Sequence, residues 1–162
     1  TLTSVARYDR MLQCNLTPEP TMEKILPLLD TRRISMRWGD MDAVGHLNNT
    51  CYFRYMEQIR VEWLDDIGYP IDPQGIGPVL GSTSCTYRRE LSYPATVVVS
   101  SEVVKVGRSS LKLRHHFRVE GDAETVYAVG EATLVWVDYQ AGKTVSIPEP
   151  IRERLRAVGA DA

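Results

Sequence analysis

The chain has 162 residues, 43% of them hydrophobic, and sets 19 Lys and Arg against 21 Asp and Glu for a net charge of -2, which suits one domain with one core and argues against a polyanion such as nucleic acid as partner. No apolar run approaches the roughly eighteen residues that a membrane span needs. The three cysteines, Cys14, Cys51 and Cys85, are odd in number and lack CxxC spacing, against both a disulfide framework and a zinc site.

Residues 1–30 read as an N-terminal arm, in which Pro18, Pro20 and Pro27 interrupt short apolar patches. No signal-peptide stretch is visible there, so a soluble, cytoplasmic protein is expected. From Thr31 the pattern changes. Ile34, Met36 and Trp38 alternate with Arg33, Ser35 and Arg37, the period of a strand with one wet face, ending near Trp38. The next ten residues, Gly39 to Asn48, hold two glycines and two aspartates and form a loop. Beyond it Tyr52, Tyr55, Met56, Ile59, Trp63 and Ile67 recur at spacings of three and four, which predicts an amphipathic helix over 49–67. Asn48 or Asn49 can cap its start, and Gly68 with Pro70 stops it.

After a Pro- and Gly-rich turn the remaining pattern is of strands, at 79–90, 95–106, 111–119 and 125–137, rich in Val, Thr, Leu and Tyr. Ser92-Tyr93-Pro94, Gly107-Arg108-Ser109 and Gly121-Asp122 stand between them as hairpin turns, giving strands in antiparallel succession. A short basic helix closes the chain between Pro148 and Val158. The compact domain is thus expected over 31–147, with 148–162 as a tail. One helix and five strands are best buried as an α+β fold, an antiparallel sheet wrapped around the helix.

The chemistry concentrates at the loop Trp38-Gly39-Asp40-Met41-Asp42-Ala43-Val44-Gly45-His46-Leu47-Asn48-Asn49 and the helix that follows it. A carboxylate there can attack a carbonyl or activate water, and free N–H groups at a helix start can hold a developing oxyanion. The pattern strand, Gly-Asp-x-Asp-x-x-Gly, helix resembles the 4-hydroxybenzoyl-CoA thioesterase family of hot-dog-fold proteins over about residues 31–147. The resemblance implies an acyl-CoA thioesterase. Asp42 takes the place of the acid, and Asn49 the place of the backbone N–H that polarises the thioester carbonyl. His46 could orient the carboxylate or touch substrate. Asp40 reads as a structural, loop-capping residue. Glu57, two turns into the helix, is a reserve acid, or else a partner of Arg54 or Arg60.

The resemblance also places the phosphates of coenzyme A at the turn Lys105-Val106-Gly107-Arg108-Ser109-Ser110, with Lys105, Arg108 and Ser109 as contacts and Arg88 and Arg89 as weaker candidates of the same kind. No metal is expected. Counted as a calcium loop from Asp40, the fifth position is Val44 and the twelfth Cys51, where oxygen ligands are required. His115 and His116, adjacent on a strand, point to opposite faces. Coenzyme A would enter as part of the substrate, not as a cofactor. A sheet on one helix leaves an open edge, and Val-rich residues 97–104 would be aggregation-prone if bare, so a homodimer or homotetramer is expected, with the ligand cleft at the interface. A non-catalytic acyl-CoA or acyl-carrier-protein binding module is the alternative, although it has no need of Asp42. A hydratase is a third reading, poorly met because Asp42 and His46 are four apart rather than five. Which of Tyr52, Tyr55, Trp63, Val79 and Leu80 shape the acyl pocket is left open.

Overall fold

The computed structural model describes residues 25–162, so most of the N-terminal arm lies outside the described residues. The elements run β1 (Leu28–Ser35), a 3-10 turn (Trp38–Asp40), α1 (Asn49–Asp66), β2 (Ile76–Tyr87), β3 (Thr96–Val106), β4 (Ser110–Val119), β5 (Ala128–Asp138), β6 (Lys143–Thr144) and α2 (Glu149–Ala157). The five long strands form one antiparallel sheet in the order β1-β3-β4-β5-β2, with the two residues of β6 added to β5. This is the α+β architecture expected, one main helix on an antiparallel sheet.

Alternation explains which face is covered. Val97, Val99, Ser101 and Val103 on β3, Leu111, Leu113, His115 and Phe117 on β4, and Ala128, Gly130, Ala132, Leu134 and Trp136 on β5 all turn inward. Against them α1 buries Tyr52, Tyr55, Met56, Ile59, Trp63 and Leu64, each such side chain contributing about 2 kcal/mol. At Gly130 the helix lies too close for a larger residue, since a Cβ there would collide with the Met56 sulfur. Two apolar clusters result. One gathers Tyr52, Met56, Val97, Val99 and Phe117, the other Trp63, Leu64, Leu113, Leu134 and Trp136. Between them sits a polar pair, buried His115 with its Nδ1 2.8 Å from the hydroxyl of Ser101.

Several expectations need correction. The first strand begins and ends about three residues earlier, because the Asp40 carboxylate takes the Arg37 N–H at 2.8 Å and turns the chain into a 3-10 helix. Trp38 therefore leaves the alternation and is 73% exposed. Residues 92–94 do not form a hairpin. β2 pairs with β5 while β3 lies between β1 and β4, so the chain between β2 and β3 crosses from the β2 edge past β5 and β4 to the interior strand β3, anchored by buried Leu91, whose carbonyl receives the Leu47 N–H at 2.6 Å. The turns at 107–109 and 121–122 are hairpins, joining neighbouring strands.

The same topology puts Val-rich residues 97–104 between β1 and β4, not at an edge. Among the described residues the two edges are β1 and β2. β1 is charged: Arg32 binds Asp30 and Asp66, and Arg33 lies 3.1 Å from Glu120. β2 carries no charged residue in its twelve, is exposed along most of its length, and shows Val79 and Leu80 40% and 48% exposed.

Burial, with Arg60 and His116 nearby, pushes the His115 imidazole down to about 3. Below the ordinary His value of about 6.5 the unfolded chain takes up a proton that the folded chain refuses, so stability falls as pH falls. Urea unfolding at pH 6 and at pH 5 is expected to show a loss of about 1 kcal/mol, most of which disappears in His115→Asn. An equal loss in both proteins would contradict a neutral His115.

Candidate active site

The loop between β1 and α1 is folded on its own hydrogen bonds. The Asp42 N–H donates to the His46 carbonyl at 2.8 Å, and the Gly45 N–H to the Asp42 carbonyl at 3.0 Å. Gly45 takes the left-handed backbone this tight turn requires, with φ 82°. Asp42 Oδ1 accepts from the N–H groups of Val44 at 2.9 Å and His46 at 3.3 Å. Asp42 is thus a loop cap as well as a candidate acid. Its second oxygen has no partner among the described residues.

α1 starts where this loop ends. Asn48 caps it, its side chain accepting from Thr50 N–H at 2.9 Å. Asn49, the first helical residue, has an N–H with no intrahelical acceptor, and no carbonyl of the described residues takes it. The Tyr87 hydroxyl donates to the Asn49 carbonyl at 3.2 Å, tying the end of β2 to the helix start.

Asp42, His46, Asn49, Tyr52, Tyr87 and Arg89 line one cleft of about 160 Å³ at this end of the sheet, together with Arg88. Its aromatic wall is Tyr52, whose ring packs edge-on against Tyr87 at 5.0 Å and Phe117 at 5.2 Å. Burial raises the Tyr52 phenol and pushes the Cys85 thiol up to about 11, so neither ionises near neutral pH. Cys51, at the helix start, is raised by burial and by Asp40. The groups able to act on a carbonyl here are the carboxylates of Asp42 and Glu90, the His46 imidazole and, at the positive end of the helix dipole, an N–H without a partner among the described residues.

The three expected site residues of the loop therefore meet in one cleft. The expected phosphate contacts do not join them. Lys105, Arg108 and Ser109 lie at the β3–β4 hairpin, at the far end of the sheet, about 30 Å away by the length of β4. That hairpin is firmly held, with Arg152 donating to the Gly107 and Arg108 carbonyls at 2.8 Å each and Ile147 N–H donating to Arg108. Glu57 is exposed and paired with Arg54 at 2.9 Å, away from the cleft. Of the residues left open for the acyl pocket, Tyr52 lines the cleft. Trp63 belongs to the second apolar cluster, and Tyr55 binds Asp40. Sequence reading gave no place in the site to Tyr87, and ranked Arg88 and Arg89 only as phosphate contacts. All three reach the cleft because β2 lies at the edge beside β5, an arrangement no local motif signals. Among the described residues no three metal-ligating side chains converge, and no helix is long and apolar enough to cross a membrane.

Comparison with known proteins agrees with this geometry. The profile of the thioesterase-like superfamily matches residues 36–155. The structure is similar to that of the PA2801 protein of Pseudomonas aeruginosa, with a TM-score of 0.76 and 39% identity over 79% of this chain and 98% of that one. It is similar to the PA5185 protein of the same organism, with a TM-score of 0.74 and 28% identity over 85% and 99% of the two chains. A thioesterase of Thermus thermophilus, solved with coenzyme A and zinc, gives 0.67 and 31% over 82% and 95%.

Proposed function

The chain belongs to the thioesterase-like superfamily, which makes it a thioester hydrolase by class, and we propose that its substrate is an acyl-coenzyme A whose thioester is cleaved between Asp42 and the start of α1. The observation that carries this reading is the pairing, in one cleft, of a carboxylate oxygen and a helix N–H that both lack partners among the described residues.

The thioester oxygen accepts from Asn49 N–H, where the helix dipole favours negative charge. Oδ2 of Asp42 then takes a proton from water as the water oxygen bonds to the carbonyl carbon. The C–S bond breaks, coenzyme A leaves as thiolate, and the proton on Asp42 returns to it. Direct attack by Oδ2 would instead give a mixed anhydride that water opens. Where water opens the anhydride at the Asp42 carbon, a solvent oxygen stays in Asp42 and an Asp42 oxygen leaves in the acid, an exchange that the water route cannot give. His46 lies close enough to orient the acyl group or the water.

The pantetheine arm spans about 15 Å when extended, half the separation between the cleft and the 105–109 hairpin of the same chain. If Lys105, Arg108 and Ser109 grip the phosphates, they grip those of a substrate seated on another copy. The uncharged β2 edge suits such an assembly, since a second copy paired there would continue the sheet and cover Val79 and Leu80. A homodimer, or a homotetramer built from it, is the proposed state. The free thiols of Cys51 and Cys85 suit a reducing cytoplasm.

Asp42→Asn is expected to lower kcat at least a hundredfold in a thiol-release assay with acyl-CoAs, with the fold intact by circular dichroism. Turnover near wild type would show that Asp42 is not the acid. Lys105→Ala with Arg108→Ala is expected to raise KM for acyl-CoA about tenfold or more and to spare thioesters that lack the nucleotide. An equal loss on both substrate types would make the hairpin purely structural, and a fully active monomer of 18.3 kDa in light scattering would exclude a shared site.

A further inference from the structure

Asp40 is a junction between the loop and the helix. Its Oδ2 accepts from the Tyr55 hydroxyl at 2.9 Å and from the Arg37 N–H at 2.8 Å. Its carbonyl accepts from the Asn48 N–H at 2.9 Å and from the Cys51 thiol at 3.6 Å. Two residues after Asp40 comes Asp42, and one residue after Asn48 comes Asn49. A shift of Asp40 therefore moves the acid and the oxyanion donor relative to each other. Tyr55 is what fixes Asp40 from the helix side: it is 7% exposed and sits in the second turn of α1, packed in the apolar cluster beneath the cleft.

We propose that Tyr55 is a positioning residue for the hydrolysis, its hydroxyl holding the Asp40 carboxylate so that the Asp42 loop and the α1 N-terminus keep the register the reaction needs. This rests on the assignment of Asp42 as the acid. Neither Tyr55 nor Asp40 touches substrate, since neither lines the cleft. Burial, together with Asp40, raises the Tyr55 phenol, so it stays a donor at every working pH and the brace is fixed. Misplacing a reacting group by about an ångström costs on the order of a hundredfold in rate, so loosening one bond of the junction should cost less than that.

Tyr55→Phe removes the hydroxyl and leaves the ring in its packing. The variant is expected to stay folded and assembled, with kcat about tenfold lower, KM unchanged, and the pH at which activity is half-lost on acidification unmoved. Asp40→Asn can keep an oxygen at the position of Oδ2, accepting from both donors, and is expected to recover most of the kcat that Asp40→Ala loses. The Asn48 amide should exchange with deuterium faster in Tyr55→Phe than in wild type, because its acceptor is Asp40. A Tyr55→Phe enzyme with kcat within twofold of wild type and unchanged Asn48 exchange would overturn the proposal. So would equal losses in Asp40→Asn and Asp40→Ala, which would assign the effect to charge. If Asp42→Asn kept full turnover, the acid assignment would fall on its own. The amide exchange of Asn48 would then decide the brace: faster exchange in Tyr55→Phe sustains it, and unchanged exchange removes it.

Discussion

The burial of α1 against the inner face of the sheet is the constraint from which the remaining geometry follows. A helix of eighteen residues cannot lie on a small sheet without covering most of its length, and Met56 over Gly130 fixes how deep it sits. Once the depth and direction are set, the N-terminal end arrives beside the last residues of β1, β2 and β4, where the Asp42 loop must also end. The unpaired N–H groups of a helix start are ordinarily satisfied by caps or water. Here Asn48 provides the cap, and the Asn49 N–H has no acceptor among the described residues, at a cleft that Asp42 also lines. The site is a consequence of how the helix is packed.

The parts of this arrangement that are local in the chain could be read from the sequence, and the parts that depend on topology could not. Spacings of three and four residues placed the helix within one residue of its end, and Asp42, His46 and Asn49 fall together because they lie within one stretch of eight residues. Trp38 misled because an alternating pattern continues past the point where the Asp40 side chain takes the Arg37 N–H and turns the chain. The turn at 92–94 carries the residues of a hairpin, yet the strand it enters pairs with β1. Sheet order is settled by which faces bury best together, and a turn signal cannot report that. The same limit hid Tyr87 and the true open edge.

The two edges of the sheet are managed differently. On β1, Arg32 is drawn to Asp30 and Asp66, and Arg33 to Glu120, the kind of charge that discourages edge pairing. β2 has nothing of the sort, and it borders the cleft through Tyr87. The cleft is thus bordered by an uncharged strand whose outer edge is unpaired among the described residues. That is why the separation of the acid from the basic hairpin speaks for a site shared between copies. In the proposed shared site the bracing of the loop by Asp40 has a purpose, since each copy would have to hold Asp42 and the start of α1 in fixed register for the other.

The claim that the thioester carbonyl lies between the Asp42 carboxylate and the start of α1 is tested most directly by a crystal structure with a non-hydrolysable acyl-CoA analogue, in which the carbonyl is kept and the sulfur replaced. The account predicts the carbonyl oxygen at about 3 Å from the Asn49 backbone N and an oxygen of Asp42 facing the carbonyl carbon directly or through one water. A carbonyl bound beside Glu57, with Asp42 engaged only in its loop, would contradict it.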